Sequence, residues 1–185
     1  MASGYRYRRL EKDDAAVLMV DHQAGLISLV QDYTPSEFKN NVLALADVAK
    51  FFKLPTILTT SFEEDPNGPL VPELKAAFPD APYIPRPGQI NAWDNENFVA
   101  AVRQTGRRQL IIAGVVTDAS GTFDHGVRTA ALMRMQQAGA ELVNWFAVAC
   151  ELHRDWRNDI EGLGALLSSH IPNYRNLMTS YSARK

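Results

Sequence analysis

The chain is predicted to fold as an α/β protein, a three-layer α/β/α arrangement with helices on both faces of a parallel sheet. Two observations predict it. Residues 15–20 (Ala-Ala-Val-Leu-Met-Val) form an unbroken apolar run that ends in Asp21. A run without alternation reads as a strand covered on both faces, which places it inside a parallel sheet. Helical and strand-like patterns then alternate along the chain, as βαβ units require. Ligands of open parallel sheets bind beyond the carboxyl ends of the strands, so Asp21 is read as the functional tip of the central strand. A lone Asp there is more often a loop cap, and other residues must shift that balance.

Each element follows in order. Residues 5–12 are a polar lead-in, and 26–30 are apolar enough for a short helix or a lid. Thr34-Pro35-Ser36-Glu37 is a helix start, with a capping threonine, a proline suited to the first turn and a glutamate that completes a capping box. Phe38, Val42, Leu45, Val48 and Phe52 continue at helical spacing, and Leu54-Pro55 ends the helix. Residues 56–61, rich in β-branched side chains, form a second strand, which completes a right-handed βαβ unit. A long connection follows, with a turn at residues 65–69 and a short helix at 73–78. Residues 83–88 (Tyr-Ile-Pro-Arg-Pro-Gly) are an extended piece whose prolines confine it to a sheet rim or a loop. Residues 94–105 read as a helix closed by Gly106, and 109–117 as the most strand-like stretch. Residues 127–138 form another helix, 141–149 a last strand, 155–167 a helix and 172–181 a docked tail.

Composition bounds the function. The 185 residues suit one domain spanning 1–185, with 46% apolar and 22% charged content. A net charge of −2 without a basic block argues against nucleic acid or an anionic membrane as partner. No apolar run approaches the ~20 residues that span a bilayer. The single cysteine, Cys150, excludes an internal disulfide framework and fits a cytoplasmic protein.

The glycine-rich phosphate loops and paired-cysteine zinc patterns are missing, and His22, His125, His153 and His170 have no short ligand spacing. Neither a cofactor nor a metal is expected. Strand ends and rim segments would instead present Asp21 and Gln23, Arg86, Asn91 with Trp93, and residues 117–120. A carboxylate beside a guanidinium suits proton transfer and the holding of a small carbonyl substrate. Taken alone, Arg86 would be a surface cation and Trp93 simple packing.

Several blocks nonetheless match a known family. They are residues 15–23, 40–45, 54–62, 86–94 (Arg-Pro-Gly-Gln-Ile-Asn-Ala-Trp-Asp), 110–117 and 150–162. In these the chain resembles the isochorismatase-like cysteine hydrolases, most closely their YcaC-type subgroup. The resemblance implies a six-stranded parallel sheet, a small amide or carbonyl substrate, and a homo-octamer. It implies Asp21 as general base, and Arg86 where most of the superfamily has lysine. It also implies an oxyanion hole at the amides of Val116 and Thr117, around a cis peptide. Gln23, Asn91 and Trp93 would line the substrate site. Nicotinamidase-type relatives carry a histidine in a metal cluster near the second strand; residues 59–68 hold none, which disfavours nicotinamide.

The chain departs from the family at the nucleophile. Three residues after Thr117, where the family has its cysteine, stands Ser120. Relatives run through a cysteine turn, a helix and another strand before Asp-Ala-Ser-Gly-Thr-Phe, whereas here Thr117 joins Asp118 directly. About twenty residues are absent, one αβ crossover. Ser120 then belongs to the later loop. Three readings follow: a retained fold without acyl-enzyme chemistry, a hydrolase using Ser120 or no covalent nucleophile, and an assembly role without catalysis.

Overall fold

The computed structural model describes residues 8–114, 122 and 124–183. At its centre is β1 (Ala15–Val20), whose first five residues are at most 1% exposed. β2 (Thr56–Ser61) runs parallel on one side, with Val17 opposite Thr56 and Val20 opposite Thr59. β4 (Gln109–Gly114) runs parallel on the other, with Ala15 opposite Gln109. β3 (Tyr83–Arg86) flanks β2 and sets Ser61 opposite Arg86. The described strands are ordered β3-β2-β1-β4, so the proline-bearing strand occupies the rim as its sequence requires.

Successive β1 side chains divide between two cores. Ala15, Val17 and Met19 join one large cluster with Phe38, Val42, Leu45 and Val48 of α2 (Pro35–Phe51). Val148, Ala149 and Leu152 of α6 (Trp145–His153) and Leu163 and Leu167 of α7 (Ile160–His170) complete it. On the opposite face, Leu18 and Ile57 pack with Phe98 and Val102 of Glu96–Gln104. The helix start at Thr34 is as expected: Thr34 Oγ1 accepts from Glu37 N at 3.3 Å, and Thr34 N donates to Glu37 Oε2 at 3.0 Å.

Three expectations are corrected. The segment 141–149 is not a strand: residues 140–144 are irregular and α6 begins at Trp145. Asn144 Oδ1 accepts from Ala147 N at 2.8 Å, capping that helix, and Val148, Ala149 and Leu152 turn together into the core. The sheet has four described strands, where the resemblance implied six. Among the described residues β4 is a terminal strand paired with β1. The helix expected over 155–167 is divided, with a short 3-10 turn at Trp156–Asn158 before α7. Asp159 makes the break, its carboxylate accepting from Gly162 N at 2.8 Å.

The helix expected over 127–138 is present as α5 (His125–Gln137), with Asp124 accepting from Gly126 N and Val127 N. Yet α5 has no buried residue, and Met133 is 56% exposed.

Candidate active site

Asp21 leaves β1 in the left-handed region, at φ 59°, a conformation that Asp tolerates better than most side chains. Its N–H still continues the ladder, donating to Thr59 O at 2.9 Å, while its carbonyl accepts from Gln23 N at 2.7 Å. The chain therefore swings aside at the strand end and leaves the carboxylate standing over it.

The register of β2 and β3 supplies the cation. Arg86 ends β3 opposite Ser61 and its side chain is wholly buried. Nε donates to Thr59 Oγ1 and Thr60 O, both at 3.1 Å. Nη1 donates to Gln89 O at 2.5 Å and Ile90 O at 3.0 Å, and Nη2 donates to Asp21 Oδ1. Each guanidinium nitrogen has a partner, as a buried charge requires. Thr59 Oγ1 is itself oriented by donating to Ile84 O at 2.7 Å.

Arg86 grips only one oxygen of Asp21; Oδ2 has no partner among the described residues, and the side chain keeps 17% of its exposure. Burial pushes the Asp21 carboxyl above its ordinary value, and Arg86 pulls the other way without cancelling that. The result is a carboxylate more basic than a free one, with an accessible lone-pair edge, which is what a general base at a strand end needs.

Gln23, also fully buried, is committed to the scaffold. Its Nε2 donates to Ser61 O at 3.0 Å and Gly68 O at 2.6 Å, and its Oε1 accepts from Ser61 N at 2.8 Å. It braces the ends of β1 and β2. Asn91 Oδ1 accepts from Trp93 N at 3.1 Å and opens the short turn Ala92–Asp94. The Trp93 ring meets Phe98 edge-on at 5.4 Å and is 46% exposed. Val116, Thr117 and Ser120, and with them the expected oxyanion hole and cis peptide, lie outside the described residues.

Two features beyond the sequence reading belong to this site. Thr59, Thr60 and the carbonyls of Gln89 and Ile90 form the cradle of Arg86. The β-branched run hinted at the strand; only register shows that it faces the arginine. His22, next to Asp21, is fully buried beside Phe38, with neither ring nitrogen hydrogen-bonded, and burial lowers its pKa to about 4.

Cys150 lies elsewhere. Its neighbour Glu151 accepts from Leu10 N at 2.9 Å, and Arg154 donates to Leu10 O. The end of α6 thus sits by the chain entering β1, whereas Asp21 leaves β1 a six-residue strand further on, about 20 Å away. The thiol is partly covered, which pushes its pKa up, the opposite of what an activated nucleophile needs.

Comparison with known proteins gives concordant results. The isochorismatase domain matches residues 15–130. A curated protein of Escherichia coli (strain K12), described as probable hydrolase YcaC, is 66% identical over 197 residues, covering 95% of this chain and 95% of its own. The structure of YcaC from Pseudomonas aeruginosa with hexane-2,5-diol and covalent acrylamide is 64% identical, at TM-score 0.95 over 97% of this chain and 100% of that one. The Escherichia coli YcaC gene product, described as an octameric hydrolase of unknown specificity, is 64% identical, at TM-score 0.96 over 98% of this chain and 100% of that one. The alignment with the curated protein spans 197 positions, whereas 95% of 185 residues is about 176, so that relative carries about twenty residues with no counterpart here.

Proposed function

This chain belongs to the isochorismatase family, on its YcaC-type branch, and from that premise we propose that it binds small amide or carbonyl compounds at the Asp21 carboxylate and hydrolyses them without a cysteine nucleophile. One observation carries the reading: a half-buried carboxylate at the tip of β1, held through one oxygen by a fully buried arginine and open at the other. Asp21 takes a proton from water as the water oxygen bonds to the carbonyl carbon. The tetrahedral adduct then collapses, the C–N bond breaks, and the proton passes from Asp21 to the departing amine. Arg86, sealed from solvent, acts as a positioning residue through Asp21. Gln23 fixes the strand ends, and the exposed Trp93 ring supplies an apolar wall near them. The acrylamide held covalently by the Pseudomonas aeruginosa relative is itself an amide, which supports the substrate class.

The test is turnover of small amides, and of isochorismate-like vinyl ethers, by the wild type, Asp21→Asn and Cys150→Ala. Turnover lost in Asp21→Asn and kept in Cys150→Ala is expected. It should rise with pH along a limb whose midpoint lies above the ordinary aspartate value, because burial raises the folded pKa and only the ionised form is a base. Turnover that vanishes with Cys150→Ala would refute the cysteine-free route. Saturable binding without turnover would instead favour the non-catalytic reading. We propose a cytoplasmic location, consistent with the single cysteine; no described helix is long and apolar enough to cross a membrane. The octameric state of the Escherichia coli relative is proposed for this chain as well, to be checked by analytical ultracentrifugation.

A further inference from the structure

The turn that presents Asp21 is a conformation the chain does not hold unaided. A left-handed φ on a residue with a side chain persists where the surroundings over-determine it, so the contacts made just after position 21 matter. They come from one segment. Val71 N donates to His22 O at 3.0 Å, Ala24 N to Pro69 O at 3.0 Å and Gly25 N to Asn67 O at 2.9 Å. Gln23 forms an antiparallel bridge with Leu70, and its Nε2 donates to Gly68 O at 2.6 Å. Residues 67–71 thus run back along residues 22–25 and pair with each of the four that follow Asp21.

That segment is itself fixed along its length. The turn before it closes through Gly68 N donating to Asp65 O at 2.9 Å, with Gly68 at φ 70°, and Asn67 Nδ2 donates to Ser61 O at 2.9 Å at the tip of β2. After it starts α3 (Pro72–Ala77), whose Leu74 is fully buried in the main core. In between, Leu70 N donates to Glu63 Oε1 at 3.3 Å, and the same oxygen accepts from the Tyr83 hydroxyl. Burial, joined by Glu63, pushes the Tyr83 pKa up to about 12, so that hydroxyl stays a donor. Tyr83 opens β3 and Arg86 ends it. The segment therefore links the strand that carries Arg86 to the turn that carries Asp21.

One residue sets how closely the two runs approach. Gly25 lies in α1 (Ala24–Ile27), where alanine is ordinarily the better helix former. A Cβ there would overlap Pro66 O and stand 2.8 Å from Asn67 O. Both are backbone atoms, which no change of rotamer moves aside.

We propose that Gly25 and the 67–71 segment it admits are positioning elements for the Asp21 carboxylate, holding its turn so that one oxygen meets Arg86 and the other stays open. The proposal rests on the reading of Asp21 as the base; Gly25 itself touches no reacting group. A side chain at position 25 drives the segment off, the turn relaxes, and the carboxylate loses its aim while β1 and both cores remain.

The test is Gly25→Ala in the full chain, with Gly164→Ala as control, because a Cβ at Gly164 meets nothing within 4 Å. The Asp21 carboxyl is titrated by carbon-13 NMR, its signal assigned by its loss in Asp21→Asn, and turnover of small amides is followed in parallel. Gly25→Ala is expected to keep its circular dichroism, while its Asp21 midpoint falls towards the ordinary aspartate value as water reaches the relaxed turn. Its kcat should be at least about tenfold lower, with KM changed less than about twofold. Gly164→Ala should match the wild type throughout. If Gly25→Ala loses its circular dichroism, Glu63→Ala takes its place, and Glu63→Gln, which keeps the acceptor without the charge, should restore the wild-type midpoint. An Asp21 midpoint unchanged in Gly25→Ala overturns the proposal, as does a midpoint moved equally by Glu63→Ala and Glu63→Gln. So does an unchanged kcat where the wild type is active. A wild type without turnover refutes the hydrolytic reading instead, and the Asp21 midpoint then still decides the role of Gly25.

Discussion

β1 and β4 lie side by side in one sheet with similar apolar sequences, and their surroundings differ completely. The first five residues of β1 are at most 1% exposed, and its tip carries a polar network in which every guanidinium nitrogen has a partner. β4 has Ile112 half in solvent and a cleft along its side. An apolar run specifies a strand that wants cover; whether cover exists depends on residues elsewhere in the chain. Every described residue that holds Asp21 and Arg86 lies at or before Ile90 in sequence, upstream of β4. The Asp21–Arg86 corner is thus assembled, among the described residues, from segments that precede β4 in the chain.

The contrast can be broken or sharpened by measurement. Arg86→Ala should have the largest effect, about 3–5 kcal/mol of lost stability in urea unfolding, because the half-buried Asp21 charge and the carbonyls of Thr60, Gln89 and Ile90 lose their partner. A loss below about 1 kcal/mol would mean the network is not the tight region described. Next, Leu18→Ala on β1 should cost about 2–5 kcal/mol, as a sealed core position does. Ile112→Ala on β4 should cost under about 1 kcal/mol, as surface substitutions do; equal costs would erase the distinction between the strands.

A third measurement concerns pH. Burial lowers the His22 pKa to about 4 from an ordinary 6.5, so the unfolded chain takes up the proton first. Stability is full above about pH 6.5 and falls as pH drops towards 4, by about 3 kcal/mol in all. His22→Leu should flatten that part of the stability profile, and a slope unchanged in the variant would assign it to another group. An effect smaller than that of Arg86→Ala is expected of Gln23→Ala, about 1–3 kcal/mol in urea unfolding from leaving Ser61 N–H and two carbonyls without their partner.

Much of the scaffold was legible in the sequence, for reasons that particular residues make plain. β1 and β2 declared themselves by apolar and β-branched runs, α2 by its capping box, and β3 as a rim strand by Pro85. The burial of Arg86 was not legible from its own neighbourhood, where two flanking prolines suggest a surface loop. It depends on the pairing of β2 with β3, a contact between distant segments. The segment 141–149 misled because a short apolar run fits helix and strand equally. What decided it was Asn144 as a cap, with Val148, Ala149 and Leu152 buried together on one helical face. The left-handed turn at Asp21 left only the choice of Asp as a trace.

That turn has a consequence for anyone dissecting the site. At φ 59° position 21 asks two things of one residue, an acidic group and a backbone willing to bend the unusual way. Asn keeps the bend and discards the acid, whereas Val or Ile would lose both and report mostly on misfolding. A saturation library at this codon would therefore confuse chemistry with geometry, and the amide is the substitution that separates them.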